Sequence, residues 1–182
     1  MVIPIPFNIG RKTLKRKKMK TVKEIMVHEP KHCGKHENLQ NVIAEMLKSN
    51  IGSLPVVDKE KKVIGIITDR DICGALARTN KHLVELRVHE AMTGHVHTCL
   101  VEDSTNTALK IMRTKKVGRL PVVDKKGCLK GILSLNTIIR QLHGSNDGAE
   151  AVFAGEENVV NTLHSIAERN NHLSFEHESF EE

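Results

Sequence analysis

Residues 52–59 read GSLPVVDK and residues 118–125 read GRLPVVDK, so the two stretches lie 66 residues apart and differ at one position. When it is shifted by 66 residues, the sequence aligns with itself without a gap. Over residues 22–76, 16 of 55 positions are identical to their partners, where typical composition gives about three. Two copies, unlike the many copies of a solenoid, predict one pseudo-symmetric pair.

Each copy has the same hydrophobic pattern around this stretch. Apolar residues at i, i+3 and i+4 spacing before it predict an amphipathic helix, and β-branched runs on both sides of a charged turn predict a hairpin. Because proline cannot donate a hydrogen bond inside a sheet, we expect Pro55 at the start of its strand. In the second turn, Gly127 suits a positive φ. The first copy thus predicts helices over 22–26 and 39–47, strands over 54–57 and 63–68, and a helix beginning near Asp69 or Asp71.

One copy spans about 55 residues, which is too small to bury a good core alone. We therefore expect an α/β fold in which the two copies pack their sheets together and share one core. The expected divisions are residues 20–79 and 80–144 for the repeats, with a basic extension at 1–19 and an acidic tail at 145–182. Residues 1–20 carry seven Lys or Arg and no acid, whereas residues 145–182 carry nine acids and one Arg.

Within the acidic tail, residues 156–170 have the spacing of one amphipathic helix. Val159, Leu163 and Ile166 fall on one stripe of this helix. A four-turn helix with so narrow an apolar face is marginally stable alone. We expect it either to dock onto the repeats or a partner, or to stay disordered.

Aromatic residues are scarce, since the chain has no Trp, no Tyr and four Phe, none of them between residues 21 and 144. This argues against a base-stacking platform for single-stranded nucleic acid, although a net charge of +6 keeps a nucleic-acid-associated protein as an alternative. No stretch approaches the ~18 apolar residues of a membrane span. The four Cys lie far apart without an export signal, which predicts reduced thiols in the cytoplasm.

The segment GIITDRD, residues 65–71, ends the second strand of the first copy and opens a helix. Thr68 and Asp71 are three residues apart, so both lie on one face of the first helical turn. A helix N-terminus attracts phosphate, and a carboxylate beside it can accept both hydroxyls of a ribose, as acidic residues do in dinucleotide sites. The same residues also fit a simpler interpretation, in which Thr68 caps the helix and Asp71 is a favourable first-turn acid.

The doubled pattern, Leu-Pro-Val-Val-Asp, a turn, and then Gly-Ile-Ile-Thr-x-x-Asp-Ile, resembles a tandem pair of CBS domains, also called a Bateman module. The resemblance covers about residues 20–143. It implies two βαββα-type units packed into one pseudo-two-fold module, with adenosyl ligands such as AMP, ADP, ATP or S-adenosylmethionine bound in clefts between them. It also implies a homodimer, in which the ligand signals by changing the packing within the dimer or with an unidentified target protein. An interaction module without a ligand is the alternative within the same family.

The same resemblance assigns the ligand-binding residues. It implies that Thr68 contacts phosphate or ribose, that Asp71 binds the ribose diol, and that the adenine lies near the Ile66-Ile67 backbone and the segments 30–33 and 97–99. It implies a phosphate contact for a basic residue at the position of Arg119, while Lys115 and Lys116 are expected at the plain surface. In the second copy Ser134 keeps the hydroxyl, but Thr137 replaces the carboxylate. We therefore expect one competent site, built around Asp71, and one weak or empty site.

Cys and His side chains also cluster before the amphipathic helices. Zinc prefers such ligands, but their spacing matches no closed site, and we expect no metal. No Ser-His-Asp order, paired acids or activated Cys is discernible, so we expect no catalysis and an adenine nucleotide only as a regulatory ligand. The residues concerned are His28, His32, Cys33, His36, His95, His97 and Cys99.

Overall fold

The computed structural model describes residues 20–143 and 153–171. Each repeat has a short first helix, then an amphipathic helix, a hairpin and a last helix. Two short strands precede the amphipathic helix in the first repeat, and one precedes it in the second. A seventh helix comes from the acidic tail. In chain order the elements are α1 (Val22–Ile25), β1 (Val27–His28), β2 (Cys33–Gly34), α2 (Leu39–Lys48), β3 (Ser53–Val57), β4 (Val63–Thr68), α3 (Asp69–Arg78), α4 (Val88–Ala91), β5 (Cys99–Leu100), α5 (Thr105–Lys115), β6 (Arg119–Val123), β7 (Leu129–Ser134), α6 (Leu135–His143) and α7 (Phe153–Asn171).

The strands form two mixed sheets with matching registers. One sheet has the order β2-β3-β4 and the other β1-β7-β6-β5. In each sheet the two hairpin strands are antiparallel. The short strand before the amphipathic helix, β2 or β5, pairs in parallel with the first hairpin strand, β3 or β6. The turns of the two hairpins touch, because Val63 N donates to Gly127 O at 3.1 Å and Leu129 N donates to Lys61 O at 2.9 Å. The predicted pair of repeats around one pseudo-two-fold axis is therefore confirmed.

Pro55 lies in the middle of β3 and not at its start, so this expectation was wrong. The reason is the short length of β2, which pairs only with Val56 and Val57. At Pro55 the edge of β3 that faces away from β4 has no partner strand, so the missing N–H removes no ladder bond. Pro121 has the same position in β6.

The first segment of each repeat belongs to the sheet of the other repeat. Val27 of β1 pairs with Ile132 of β7, and Thr93 forms a bridge with Ile66 of β4. The core clusters show the same exchange, because the α1 residues Val22 and Ile25 pack with β6, β7 and α5. Likewise, Leu86 and Val88 pack with β3, β4 and α2. The two repeats are thus interlocked as well as adjacent.

Glycines in the second strand of each hairpin permit this exchange. A Cβ on Gly131 would overlap the Met26 side chain and lie 2.9 Å from the Val27 carbonyl oxygen. A Cβ on Gly65 would lie 3.0 Å from both Met92 Sδ and Thr93 O. The crossing segment therefore packs directly on the strand backbone at these positions.

Among the described residues, the buried side chains form two clusters, one for each sheet, so the expectation of a single shared core was wrong. The buried core is aliphatic in both, as the aromatic shortage predicts. Its fully buried side chains are Leu, Ile, Val and Met, with Ala and Cys filling smaller spaces. Dispersion and burial of aliphatic groups must therefore stabilise the core without ring contacts.

The helix predicted in the tail forms as α7 and docks on the second repeat, beside α5 and α6. Val159 and Ile166 face the repeat as predicted, but Leu163 is 45% exposed and was wrongly placed on the stripe. Thr162 is buried instead, at 1% exposure. Its hydroxyl donates to Asn158 O at 2.6 Å, and this bond satisfies the only polar group of the side chain.

Candidate functional site

Thr68 and Asp71 cap the first turn of α3 reciprocally. Thr68 Oγ1 accepts from Asp71 N at 3.1 Å, and Asp71 Oδ2 accepts from Thr68 N at 2.9 Å and from Thr68 Oγ1 at 2.7 Å. The simpler interpretation of this pair, a helix cap, therefore holds in the structure. Asp71 Oδ1 has no hydrogen-bond partner among the described residues, so one carboxylate oxygen is left for a ligand.

The second repeat has the same geometry without the charge. Ser134 Oγ accepts from Thr137 N at 3.1 Å and lies 2.9 Å from Thr137 Oγ1. Two hydroxyls thus stand where the first repeat has a hydroxyl and a carboxylate. A neutral hydroxyl makes weaker hydrogen bonds than a carboxylate and cannot accept from two ribose hydroxyls with charge assistance.

Arg119 of the second repeat reaches the first repeat near the start of α3. Its Nη1 donates to Ser53 Oγ at 2.6 Å, and Ser53 is paired in register with Thr68. A Cβ on Gly52 would lie 3.0 Å from Asp69 Oδ2 and 3.8 Å from Arg119 Nη1, so all three residues adjoin one point. Arg119 forms no ion pair within the described part of the chain, which leaves its charge available to an anion.

Three of the predicted residues, Thr68, Arg119 and Ser134, therefore lie at the open ends of the two hairpins, opposite the turns. Arg119 and Ser134 are register partners in β6 and β7, as Ser53 and Thr68 are in β3 and β4, and the Arg119 side chain links the two pairs. Lys115 is exposed, as expected of a plain surface residue, whereas Lys116, expected at the surface too, is half-buried at the end of α5.

Ile66 lies two residues before Thr68 on β4, but its backbone is already paired. Ile66 N donates to Thr93 O at 3.1 Å, and Thr93 N donates to Ile66 O at 2.9 Å. Only the partly exposed side chain of Ile66 is therefore available to an adenine ring.

Three residues of the predicted adenine segment 30–33, Pro30, Lys31 and His32, line a groove of about 870 Å³ at the hairpin-turn end of the molecule. Cys33 and Cys99 lie in the cores instead. The groove includes none of the five residues predicted to bind ligand. It is lined by Lys23, Met26, His28, Glu29, Pro30, Lys31, His32, Val57, Lys61, Val101, Glu102, Asp124, Leu129 and Lys130.

The buried thiols are poor metal ligands. Burial, with a smaller contribution from the Glu37 charge, raises the pKa of Cys33 to about 12. Burial and the Asp103 charge raise the pKa of Cys99 to about 12 as well. Metal binding requires the thiolate, and no three His, Cys, Asp or Glu side chains converge within the described residues.

Ser53, Asp69 and Thr93 adjoin the site and were missed in the sequence. Ser53 stands at the position that Arg119 occupies in the other copy, so the 66-residue shift could have pointed to it. Thr93 could not have been found in this way, because its pairing with Ile66 joins distant segments that the repeat pattern does not connect. Within the described residues, no helix is long and apolar enough to cross a bilayer.

Two interlocked repeats, each with a hairpin followed by a capped helix, define a tandem α/β module. The chain belongs to the CBS domain family, because the model of that domain matches residues 22–78 and 88–144. CBS domain pairs are regulatory modules, and some bind ligands that contain adenosine.

Similar proteins include enzymes that carry such a pair. The chain is 33% identical over 124 residues to an inosine-5'-monophosphate dehydrogenase of Methanocaldococcus jannaschii, covering 68% of this chain and 24% of that protein. It is 29% identical over 116 residues to an uncharacterised 33.4 kDa protein of Thermofilum pendens, covering 64% of this chain and 37% of that one. The chain thus spans about a quarter and about two fifths of the lengths of these relatives.

Two solved structures extend the likeness to the fold. The CBS domain pair of protein MJ0100, in complex with 5'-methylthioadenosine and S-adenosyl-L-methionine, aligns with a TM-score of 0.60 at 30% identity, covering 71% of this chain and all (100%) of that one. Hypoxic Response Protein I, with two coordinated zinc ions, aligns with a TM-score of 0.61 at 26% identity, covering 66% of this chain and 98% of that one.

Proposed function

We propose that the chain is a non-catalytic regulatory module that binds one adenosine-containing ligand at the start of α3. The observation that carries the proposal is the approach of Arg119 from the second repeat to Ser53, at 2.6 Å, beside the Thr68 and Asp71 cap. The Arg119 guanidinium of the second repeat thus contacts Ser53, whose register partner Thr68 shares the cap with the Asp71 carboxylate. Such a set matches a ribose and a phosphate joined in one molecule.

In this arrangement Asp71 Oδ1 accepts from the ribose hydroxyls. Arg119 pairs with a phosphate, or with the carboxylate of S-adenosylmethionine, because Asp69 and Asp71 make the helix end itself less attractive to an anion. The adenine packs against Ile66 and other aliphatic side chains. The binding of the MJ0100 pair to two adenosyl compounds supports this class of ligand.

A ligand held by both repeats can act as a signal. It favours the relative position of the repeats in which Arg119 and Asp71 both reach it, and it shifts the population by its difference in affinity between positions. A target protein that contacts both repeats then responds to the ligand concentration.

Titration calorimetry with AMP, ATP and S-adenosylmethionine tests the proposal. We expect one site per chain for at least one of them, and a loss of affinity of about 10-fold or more in Asp71→Asn. Asparagine keeps an oxygen that can accept from Thr68 N, so the cap and the fold survive this change. Glu60→Gln, which neutralises an exposed acid in the turn of the first hairpin, is the matched control and should bind as before.

Unchanged affinity in Asp71→Asn would exclude the ribose assignment, and two equal sites per chain would exclude the single competent site. Because the chain has no Trp or Tyr, absorbance near 260 nm also reports any adenine that the purified protein retains. No binding of the three compounds would favour the interaction module without a ligand.

A further inference from the structure

The helix α7 runs beside α5 in the same direction and ends near the candidate site. Close to the start of α7, Asn158 Nδ2 donates to Asn106 Oδ1, in the first turn of α5, at 3.5 Å. Further along, Ile166 Cδ1 lies 4.0 Å from the point where a Gly118 Cβ would be, and Gly118 directly precedes Arg119 of β6. The carboxyl end of α7 therefore points past the open ends of the hairpins, where the candidate site lies.

The sequence that follows α7 is short and acidic. Residues 172–182 read HLSFEHESFEE and contain four Glu and neither Lys nor Arg; we call them the post-α7 segment. Beyond Ile166, α7 extends about 8 Å to its last residue, Asn171. The five residues from there to Glu176 can span up to about 17 Å. The carboxylate of Glu176 can thus return to the level of Gly118, and the later Glu residues can reach further.

The cations at this level favour an acidic occupant. Lys115 at the end of α5 and Arg119 at the start of β6 are both exposed, and neither forms an ion pair within the described part of the chain. Beyond Arg119, the first turn of α3 contains Asp69, Arg70 and Asp71, whose net charge is negative and repels a carboxylate. A segment that arrives from α7 is therefore attracted to the Arg119 side of the site and not to the ribose side.

We propose that the post-α7 segment occupies the anion position of the candidate site, with a Glu carboxylate on Arg119, and so competes with the anionic group of a ligand. This inference rests on the proposed function, because it assigns the segment to one part of that site. The occupant is a segment of the same chain because α7 brings its first residue close to Gly118, because its length spans the distance, and because its charge is opposite to that of Lys115 and Arg119. A ligand must displace the segment to reach Arg119, so the segment raises the ligand concentration at which the module responds.

Titration calorimetry with AMP and with adenosine compares the full chain with a chain that ends at Asn171. We expect the shortened chain to bind AMP about 5-fold or more tightly, while adenosine, which has no phosphate, should bind both chains equally. Glu→Gln at positions 176, 178, 181 and 182 together should reproduce the shortened chain, because this variant removes the charges and keeps the length. Arg119→Met removes the anion partner, so the full and the shortened chain should then bind AMP alike.

A measurement without ligand separates a failure of this inference from a failure of the proposed function. The NMR signal of the Arg119 Nε–H group should differ between the full chain and the chain that ends at Asn171. The signal of Arg78, at the far end of α3, is the matched control and should coincide in both.

An Arg119 signal that does not move, or an equal AMP affinity of the two chains, would overturn the contact. An equal gain in affinity for adenosine would overturn the charge pairing. A moved Arg119 signal without binding of AMP or adenosine would support the contact and exclude the ligand assignment instead.

Discussion

Gly131 shows how one residue controls the contact between repeats. Its strand lies against Met26 and Val27, so a methyl group there has no space. We predict that Gly131→Ala lowers the free energy of unfolding by about 1–3 kcal/mol, because overpacking displaces the crossing segment. Urea unfolding followed by far-ultraviolet circular dichroism measures the change.

Gly94→Ala is the control for this prediction, since no atom lies within 4 Å of the added Cβ. It should leave the stability unchanged or raise it by up to about 1 kcal/mol through the unfolded chain. Equal effects of the two substitutions would contradict the packing explanation.

At the same scale, the local contacts of the candidate site were predictable from the sequence, and the contacts between distant residues were not. The cap of Thr68 and Asp71 followed from a spacing of three, which is local. The bond from Arg119 to Ser53 joins residues 66 positions apart, and such contacts depend on how the sheets are set against each other. Periodicity contains no information on that placement.

Among the elements, α7 docks on α5 and α6 through one side. Val159 is 6% exposed against the second repeat, whereas Val160 is 61% exposed on the other side. We predict that Val159→Ala weakens the docking by about 1–2 kcal/mol, the loss expected for two buried methyl groups. Hydrogen exchange of the α7 amides should quicken accordingly.

Val160→Ala provides the comparison, because it removes the same groups from an exposed position. Since alanine favours the helix more than valine does, the exchange should stay unchanged or become slower. Faster exchange in both variants would contradict the docking explanation.

The same helix marks a limit of prediction from the pattern of apolar residues. The spacing placed Leu163 on the buried stripe, but a buried threonine with a bond to Asn158 O takes that place. A pattern that scores hydrophobicity alone cannot foresee a hydroxyl that is satisfied within its own helix. Both hairpins, in contrast, were predictable because turn and strand residues are adjacent in sequence.

For the molecule as a whole, the two buried thiols predict that the free energy of unfolding falls at alkaline pH. The pKa of Cys33 and of Cys99 is about 12 in the folded chain, against an ordinary value of 9.0. The unfolded chain therefore loses these protons at a lower pH than the folded chain does. Their contribution to stability is complete below pH 9 and is lost as the pH rises towards 12.

We accordingly expect the urea midpoint to fall between pH 8 and 10.5, and to fall less steeply in Cys33→Ala. Cys73→Ala, which changes an exposed thiol, should keep the wild-type slope. If the slope is the same in all three proteins, lysine titration and not thiol burial causes the alkaline loss.

The exchange of α1 and α4 between the repeats gives residues 79–87 a role beyond that of a spacer. Each sheet is completed by a segment that belongs to the other repeat, so two separate repeats would have to meet in solution before either was whole. The covalent connection turns that encounter into an intramolecular event, with an effective concentration in the millimolar range for a short tether. Because both repeats are in one chain, the rate at which each sheet is completed does not depend on the protein concentration.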